Sequence, residues 1–335
     1  RDCTVQRRNQ KIVERAPALY LDSAQRDEVC GAALALCRKA SYVNAGTVEF
    51  LQDADTGKFY FIEVNPRIQV EHTVTEQVTG VDIVKAQIRV TEGARIGDET
   101  SFIPQQKDIS LRGHALQCRV TTEDPENNFT PDYGKIAVYR SAAGFGIRLD
   151  AGTAYGGAVI TPYYDSLLVK VTAWGHTPDE AAARMDRALR EFRVRGLATN
   201  LQFLENVIAH PLFRSGECTT RFIDTTPELF HFQKRRDRAT RLIRFLGEVT
   251  VNGNPEMKNR MLPKLPLALP IKPVCDLTRA ISPGTRDRLK ELGAAGFAQW
   301  MKEQPQVLLT DTTMRDAHQS LFATRMRSRD MIEVA

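Results

Sequence analysis

Gly46–Glu76 reads GTVEFLQDADTGKFYFIEVNPRIQVEHTVTE, two β-type runs around Asp55-Thr56-Gly57 followed by an alternating polar stretch. Runs rich in Val, Phe, Tyr and Ile that flank a short glycine-bearing loop predict a β-hairpin, with Gly57 at the left-handed position. If Ala54 and Lys58 close a three-residue loop, Glu49 stands opposite Glu63. Like charges directly opposite one another destabilise a sheet unless a cation lies between them, and Asn65 projects to the same face. Two carboxylates and an amide oxygen suit Mg2+ or Mn2+, which take oxygen ligands and share them with nucleotide phosphates. A solvated hairpin face accounts for the same residues.

The next stretch, Arg67-Ile68-Gln69-Val70-Glu71, puts Arg67, Gln69 and Glu71 on one side if it is extended. A guanidinium, an amide and a carboxylate together can hold a small oxyanion and deprotonate it; a strand with one polar face is the plainer alternative. Upstream, RDCTVQRRNQK carries four basic residues in eleven and reads as a solvated edge. Arg119, at the end of an apolar run, reads as a structural ion pair.

Downstream, residues 109–174 break into short β-rich runs separated by Gly and Pro, which predicts a mostly antiparallel module. Thr177-Pro178-Asp179-Glu180 is a helix start with an N-cap threonine, Pro at the first position and Glu180 placed to close a capping box. Ala181, Met185, Ala188, Leu189 and Phe192 follow as one buried face. Thr199-x-x-Gln202 repeats the device ahead of Leu201, Leu204, Val207 and Ile208. Pro263, Pro266, Pro270 and Pro273 mark a linker, a helical pair is expected around 283–303, and Val307–Leu309 reads as a buried-type strand. A lone strand at a terminus has no pairing partner, so the expectation is a chain cut at both ends.

The 335 residues carry a net charge of +5, 42% apolar and 26% charged residues, ordinary for a globular protein. The charge is too small for nucleic acid, and no run of eighteen apolar residues predicts a membrane span. The six cysteines are scattered with no C-x-x-C pair, which points to reduced thiols rather than to zinc or a disulfide framework. The glycines of AGFGIRLDAGTAYGG lack the spacing of a phosphate loop and read as turns.

Taken in order, RDCTVQRRNQK, GTVEF, FIEVNPRIQVEHTVTE, GHALQCRV, FGIRLD and PYYDS resemble biotin carboxylase domains over residues 1–225. The continuation through RFIDTTPELFHFQKRRDRATR to VLLTDTTMRDAHQSLFATRMR resembles the pyruvate carboxylase family. The resemblance implies an α+β multidomain arrangement: the C-terminal part of an ATP-grasp domain (1–108), the β-rich biotin carboxylase C-terminal domain (109–225), an allosteric and tetramerisation linker (226–305), and the first strand of a truncated carboxyltransferase (β/α)8 TIM barrel (306–335). It implies a ligase that carboxylates biotin with ATP and bicarbonate, then transfers the carboxyl group to pyruvate to give oxaloacetate.

Residue by residue, the resemblance implies that Glu49, Glu63 and Asn65 hold the Mg2+ or Mn2+ that bridges ATP phosphates. Lys11, Arg67, Gln69 and the backbone of Val70 would hold bicarbonate, Glu71 would deprotonate it, and Arg119 would stabilise the enolate-like biotin anion. Gln6 and Asn9 would lie near ATP, although Asn9 stands where free-standing biotin carboxylases usually carry histidine. Asp316 would bind a second divalent metal (Mn2+ or Zn2+), with Arg315 and Gln319 on pyruvate. Arg193, Arg195, Asp237 and Arg238 would take acetyl-CoA as activator. The biotin-bearing carrier is absent from these residues, the isolated chain is expected to be inactive, and the family assembles as a homotetramer in the bacterial cytoplasm or the mitochondrial matrix. A biotin carboxylase subunit of an acyl-CoA carboxylase would have no use for TDTTMRDAHQS. A stand-alone acyl-CoA sensor would leave sheet edges unpaired.

Overall fold

The structure, a computed structural model, describes residues 1–152, 154–232, 238–253, 283–313 and 315–316. Its strands are β1 (Asp2–Arg7), β2 (Gln10–Ala16), β3 (Thr47–Gln52), β4 (Phe59–Asn65), β5 (His114–Thr121), β6 (Glu123–Asp124), β7 (Thr130–Pro131), β8 (Gly134–Lys135), β9 (Val138–Arg140), β10 (Ile147–Ala151), β11 (Val159–Ile160), β12 (Leu167–Gly175) and β13 (Arg193–Arg195). Its helices are α1 (Ser23–Lys39), α2 (His72–Thr79), α3 (Ile83–Thr91), α4 (Pro178–Glu191), α5 (Leu201–Ala209), α6 (Pro211–Ser215), α7 (Phe222–Thr225), α8 (Arg238–Asn252) and α9 (Thr285–Lys302).

The central sheet has five strands in the order β1-β2-β5-β12-β10, with every adjacent pair antiparallel. The hairpin from the start of the chain is thus sewn to strands that begin a hundred residues later. The period-2 alternation of a strand assigns the faces. On β5, Leu116, Cys118 and Val120 face the large core shared with α4 and α5, whereas Ala115, Gln117 and Arg119 face α2. β12 repeats this, with Val169, Val171 and Ala173 in the core and Lys170, Thr172 and Trp174 on the α2 side. The result is three layers: α4/α5, sheet, α2.

Helix α4 begins where expected. The Thr177 side chain accepts from the Glu180 backbone N–H, and Ala181, Met185, Ala188, Leu189 and Phe192 are buried. Glu180, however, accepts from the His176 N–H, one residue before the cap. The device expected at Thr199 is absent. Asn200 precedes α5, and its side chain ties the helix to β5 instead, accepting from the Thr121 N–H and donating to the Arg119 carbonyl.

Three further expectations change. The β3–β4 loop has four residues, with Asp53 paired to Lys58 and the Asp53 carboxylate accepting from the N–H groups of Asp55 and Thr56. A side-chain turn of this kind competes with the three-residue alternative. Gly57 does hold φ +70°. Arg67–Glu71 is not extended; it is a loop running into α2. RDCTVQRRNQK forms hairpin β1–β2 with Asp2 and Val5 buried, though β1 is a sheet edge as expected.

The helical pair near the end is observed as α9, divided at Gly293. Residues 307–312 form no strand, and Leu309 is exposed. The four-proline linker, Asp237 and Gln319 lie outside the described residues.

Candidate functional site

The residues singled out from sequence meet at the α2 face of the sheet, against hairpin β3–β4. Two register shifts build the place. In β2 the pairing slips between Val13 and Lys11, and in β4 between Glu63 and Phe61. A bulge inserts one residue into one strand and re-aims the side chains beyond it. The first turns Lys11 toward the site. The second restores the Glu49–Glu63 opposition that the four-residue loop would otherwise have shifted out of register.

Glu71, 2% exposed, is gripped from two strands. Lys11 Nζ donates to its Oε1 at 2.6 Å, and Arg119 Nη2 donates to its Oε2 at 3.2 Å. Lys11 Nζ also reaches Glu49 Oε1 at 3.0 Å. Glu49 Oε1 further accepts from Gln69 Nε2 at 2.7 Å and from Asn65 Nδ2 at 3.1 Å, and the same Asn65 nitrogen donates to Glu63 Oε1 at 2.8 Å. Arg67 joins at the rim, donating to Asn65 Oδ1 at 3.5 Å and to the Ile68 carbonyl. The Val70 carbonyl accepts from Lys170 Nζ at 3.2 Å.

Burial pushes the Glu71 carboxyl up, but the Lys11 hydrogen bond and the charges of Lys11 and Arg119 outweigh it, so Glu71 sits below the usual carboxylate value. Burial pushes the adjacent Cys3 thiol up to about 12, helped by Glu14 and Glu71. Cys3 is therefore neutral, and its Sγ lies 3.8 Å from Glu71 Oε1. Gln69 Oε1 is buried with no hydrogen-bond partner among the described residues. A buried acceptor left open is costly and marks where a donor is wanted.

The facing pair Glu49 and Glu63 offers the carboxylate oxygens a hard divalent cation takes; Asn65 turns its NH2 to them and its oxygen to Arg67, and would have to rotate its amide to add an oxygen ligand. Among the described residues no group of three or more His, Cys, Asp or Glu side chains converges. Two carboxylates and an amide would hold such an ion only together with outside oxygens such as phosphate, which suits Mg2+.

Other expected residues lie apart. Gln6 pairs with Lys11 across the first hairpin, and Asn9 sits at its exposed turn with φ +63°. Arg193 and Arg195 flank Val194 in β13, paired to β9. The Arg193 guanidinium donates to the carbonyls of Arg190 and Phe192. Arg238 opens α8. Arg315 and Asp316 are exposed and pair with each other at 3.4 Å.

Sequence reasoning missed Glu14, Gln117, Thr73 and Lys170. Glu14 is fully buried, bound to Arg119 and Gln117. The available signal was a glutamate inside the apolar run KIVERA, a charge that a strand interior accepts only with a partner.

Comparison with known proteins places these features. The chain matches the family models "Carbamoyl-phosphate synthase L chain, ATP binding domain" over residues 1–99 and "Biotin carboxylase C-terminal domain" over residues 117–225. It is 55% identical along its whole length to pyruvate carboxylase of Bacillus subtilis, of which it spans 29%. The structure of Rhizobium etli pyruvate carboxylase T882A with the allosteric activator acetyl coenzyme-A shares 63% identity and superposes with a TM-score of 0.70, over 99% of this chain and 33% of that one. The biotin carboxylase domain of Hydrogenobacter thermophilus 2-oxoglutarate carboxylase, in complex with MgADP, ADP and bicarbonate, shares 42% identity at a TM-score of 0.66, over 70% of this chain and 50% of that one. The chain thus spans under a third of the full-length relatives it matches, its mixed α/β fold is of the biotin carboxylase, ATP-grasp type, and along its whole length it is similar to pyruvate carboxylases.

Proposed function

We propose that this chain carries the bicarbonate-activating half of a biotin carboxylase site in a pyruvate carboxylase, a biotin-dependent ligase that makes oxaloacetate from pyruvate, bicarbonate and ATP. The observation that carries the reading is Glu71, a buried carboxylate held charged by a lysine on one oxygen and an arginine on the other. A base below its usual value is ionised at neutral pH, and one fixed by two cations needs no reorganisation when it takes a proton.

Bicarbonate would lie against Lys11, Arg67, Gln69 and the Val70 N–H, the Val70 carbonyl being already taken by Lys170. The open Gln69 Oε1 would accept from its O–H. Glu71 would then remove the proton, leaving an oxygen nucleophile for the γ-phosphate of ATP. Gln6 and Asn9 border the nucleotide in this reading. A divalent cation on Glu49, Glu63 and Asn65 supplies charge neutralisation for the phosphates. Arg119 would hold the negative charge that develops on the ureido oxygen of biotin.

The carboxyl transfer to pyruvate is assigned to a barrel beginning at 306–335, with Asp316 on its metal and Arg315 and Gln319 on pyruvate. The allosteric acetyl-CoA site is assigned to Arg193, Arg195, Asp237 and Arg238, with a homotetramer as the assembly. No helix among the described residues is long and apolar enough to cross a membrane, and a cytoplasmic or mitochondrial-matrix site of action follows from the family reading. The 335 residues by themselves are expected to be catalytically silent, because none of their glycine-rich stretches has a phosphate-loop pattern.

The test is bicarbonate-dependent ATP cleavage, stimulated by free biotin, in the native full-length polypeptide. Its presence, and its loss in Glu71→Gln with retained ATP binding, supports the reading; ATP cleavage indifferent to bicarbonate sinks it.

A further inference from the structure

The loop from Arg67 to Glu71 runs into α2 with its carbonyls tied back one after another. The Ile68 carbonyl accepts from Arg67 Nη1 at 3.1 Å. The Gln69 carbonyl accepts from the His72 N–H at 3.1 Å and lies 2.8 Å from His72 Nδ1. The Val70 carbonyl is held from outside the loop, by Lys170 Nζ of β12 at 3.2 Å. The N–H groups of Ile68, Gln69 and Val70 have no hydrogen-bond partner among the described residues. Successive open N–H groups in a turn suit an anion, and they stay open because the carbonyls between them are fixed elsewhere.

Lys170 is an expensive way to supply the third of these contacts. It stands directly opposite Arg119 on β5, where like charges repel, and opposite Asp150 on β10. Asp150 gives one oxygen to each of two Arg148 nitrogens, both at 2.9 Å. Among the described residues the Val70 carbonyl is the one acceptor that Lys170 Nζ meets. Burial pushes the Lys170 amine below its usual value; Asp150 and Glu14 pull it up, and Arg148 and Arg119 push it down. A methionine would fill this half-buried strand position at less cost, but it could not hold a carbonyl. The C=O of Val70 and the N–H of Glu71 belong to one rigid peptide plane, so a cation on one end aims the other. That N–H is among the groups that keep the Glu71 carboxylate charged.

We propose that Lys170 is a positioning residue for the bicarbonate loop: it pins the Val70–Glu71 peptide to the sheet, so that the Glu71 N–H stays aimed at its own carboxylate and the Val70 N–H stays open to the oxyanion. The inference rests on the proposed function and deepens it. The ion pairs of Glu71 are with Lys11 and Arg119; Lys170 acts on the base through one peptide instead. It also joins the loop to a strand a hundred residues away, one packed into the sealed sheet on its other face. The loop thus takes its shape from a rigid element rather than from its own short sequence.

The test is Lys170→Met in the native full-length polypeptide, read by steady-state kinetics of bicarbonate-dependent ATP cleavage with free biotin and by a crystal structure of the variant. The kcat/KM for bicarbonate is expected to fall about 10–100-fold. Part of that loss should be a higher KM for bicarbonate, with the KM for ATP nearly unchanged. Lys170→Arg returns a cationic donor to the carbonyl and is expected to bring the KM for bicarbonate back toward wild type. A merely structural lysine would lower kcat and thermal stability and leave the KM for bicarbonate as it was, and that result overturns the proposal. If the methionine variant does not fold, Lys170→Gln is read in the same way, and a wild-type KM for bicarbonate again overturns it. If the wild-type polypeptide shows no bicarbonate-dependent cleavage, the proposed function fails, and the crystal structure alone decides this inference. A Val70 carbonyl turned away from its wild-type direction supports it; residues 67–71 superposed on the wild type overturn it.

Discussion

Strands β5 and β12 and the hairpin β3–β4 use the same kinds of residue, yet one pair is sealed and the other stands open. Val120 and Val171 are fully buried between layers, whereas Tyr60, Phe61 and Ile62 are each more than half exposed. The site straddles this difference. Glu14, Gln117 and Arg119 belong to the sealed sheet. Glu49, Glu63 and Asn65 belong to the open hairpin and are joined to the rest through Lys11 and Gln69. Groups that must keep a fixed geometry for proton transfer are thus packed on both sides. Groups suited to a cation and phosphate are carried on an element with little apolar anchoring.

The sharpest way to break this contrast is at its meeting point. Glu71→Gln in the native polypeptide is expected to lower bicarbonate-dependent ATP cleavage by about 10²–10⁴-fold, the range for loss of a positioned base, as steady-state kinetics will show. Next comes packing. Phe203 is fully buried against Phe129 and Phe230. Phe203→Ala should cost about 3–5 kcal/mol, while Phe61→Ala on the open hairpin should cost roughly 1 kcal/mol or less. Thermal denaturation of the two variants compares the regions directly, and equal losses would erase the distinction.

A pH series sharpens it further. Glu71 has a lower value folded than unfolded, because Lys11 and Arg119 outweigh the burial that raises it. Its contribution to stability is therefore present above the unfolded value of about 4.3 and lost as pH falls through the folded one. Glu71→Gln should flatten that part of the Tm-versus-pH curve, on the acid side of about pH 4.3, while Glu63→Gln on the hairpin leaves it in place. The smallest effect expected is at a helix start: Thr177→Ala should lose about 1 kcal/mol in the same denaturation measurement.

Much of this site was legible in the order of residues. Glu49 opposite Glu63, with Asn65 beside them, followed from a hairpin pattern. Arg67, Gln69 and Glu71 followed from a cluster of polar types, although the strand assumed for them is a loop. The helix α4 face from Ala181 to Phe192 was readable because a cap and a 3.6-residue period are local signals. The loop length of β3–β4 was not readable, since an Asp53 side-chain turn and a bulge near Glu49 cancel in their effect on register.

The amino-acid sequence by itself determined the β3–β4 hairpin, the start and buried face of α4 and most of the chemical groups of the site, because caps, turns and periodicities act within a few residues. Only the tertiary structure decided that Lys11 turns toward Glu71 and that Glu14 and Gln117 stand behind Arg119. Bulges and cross-strand partners depend on which distant strand lies alongside. β2 meets β5 about a hundred residues later, a pairing that no local pattern encodes.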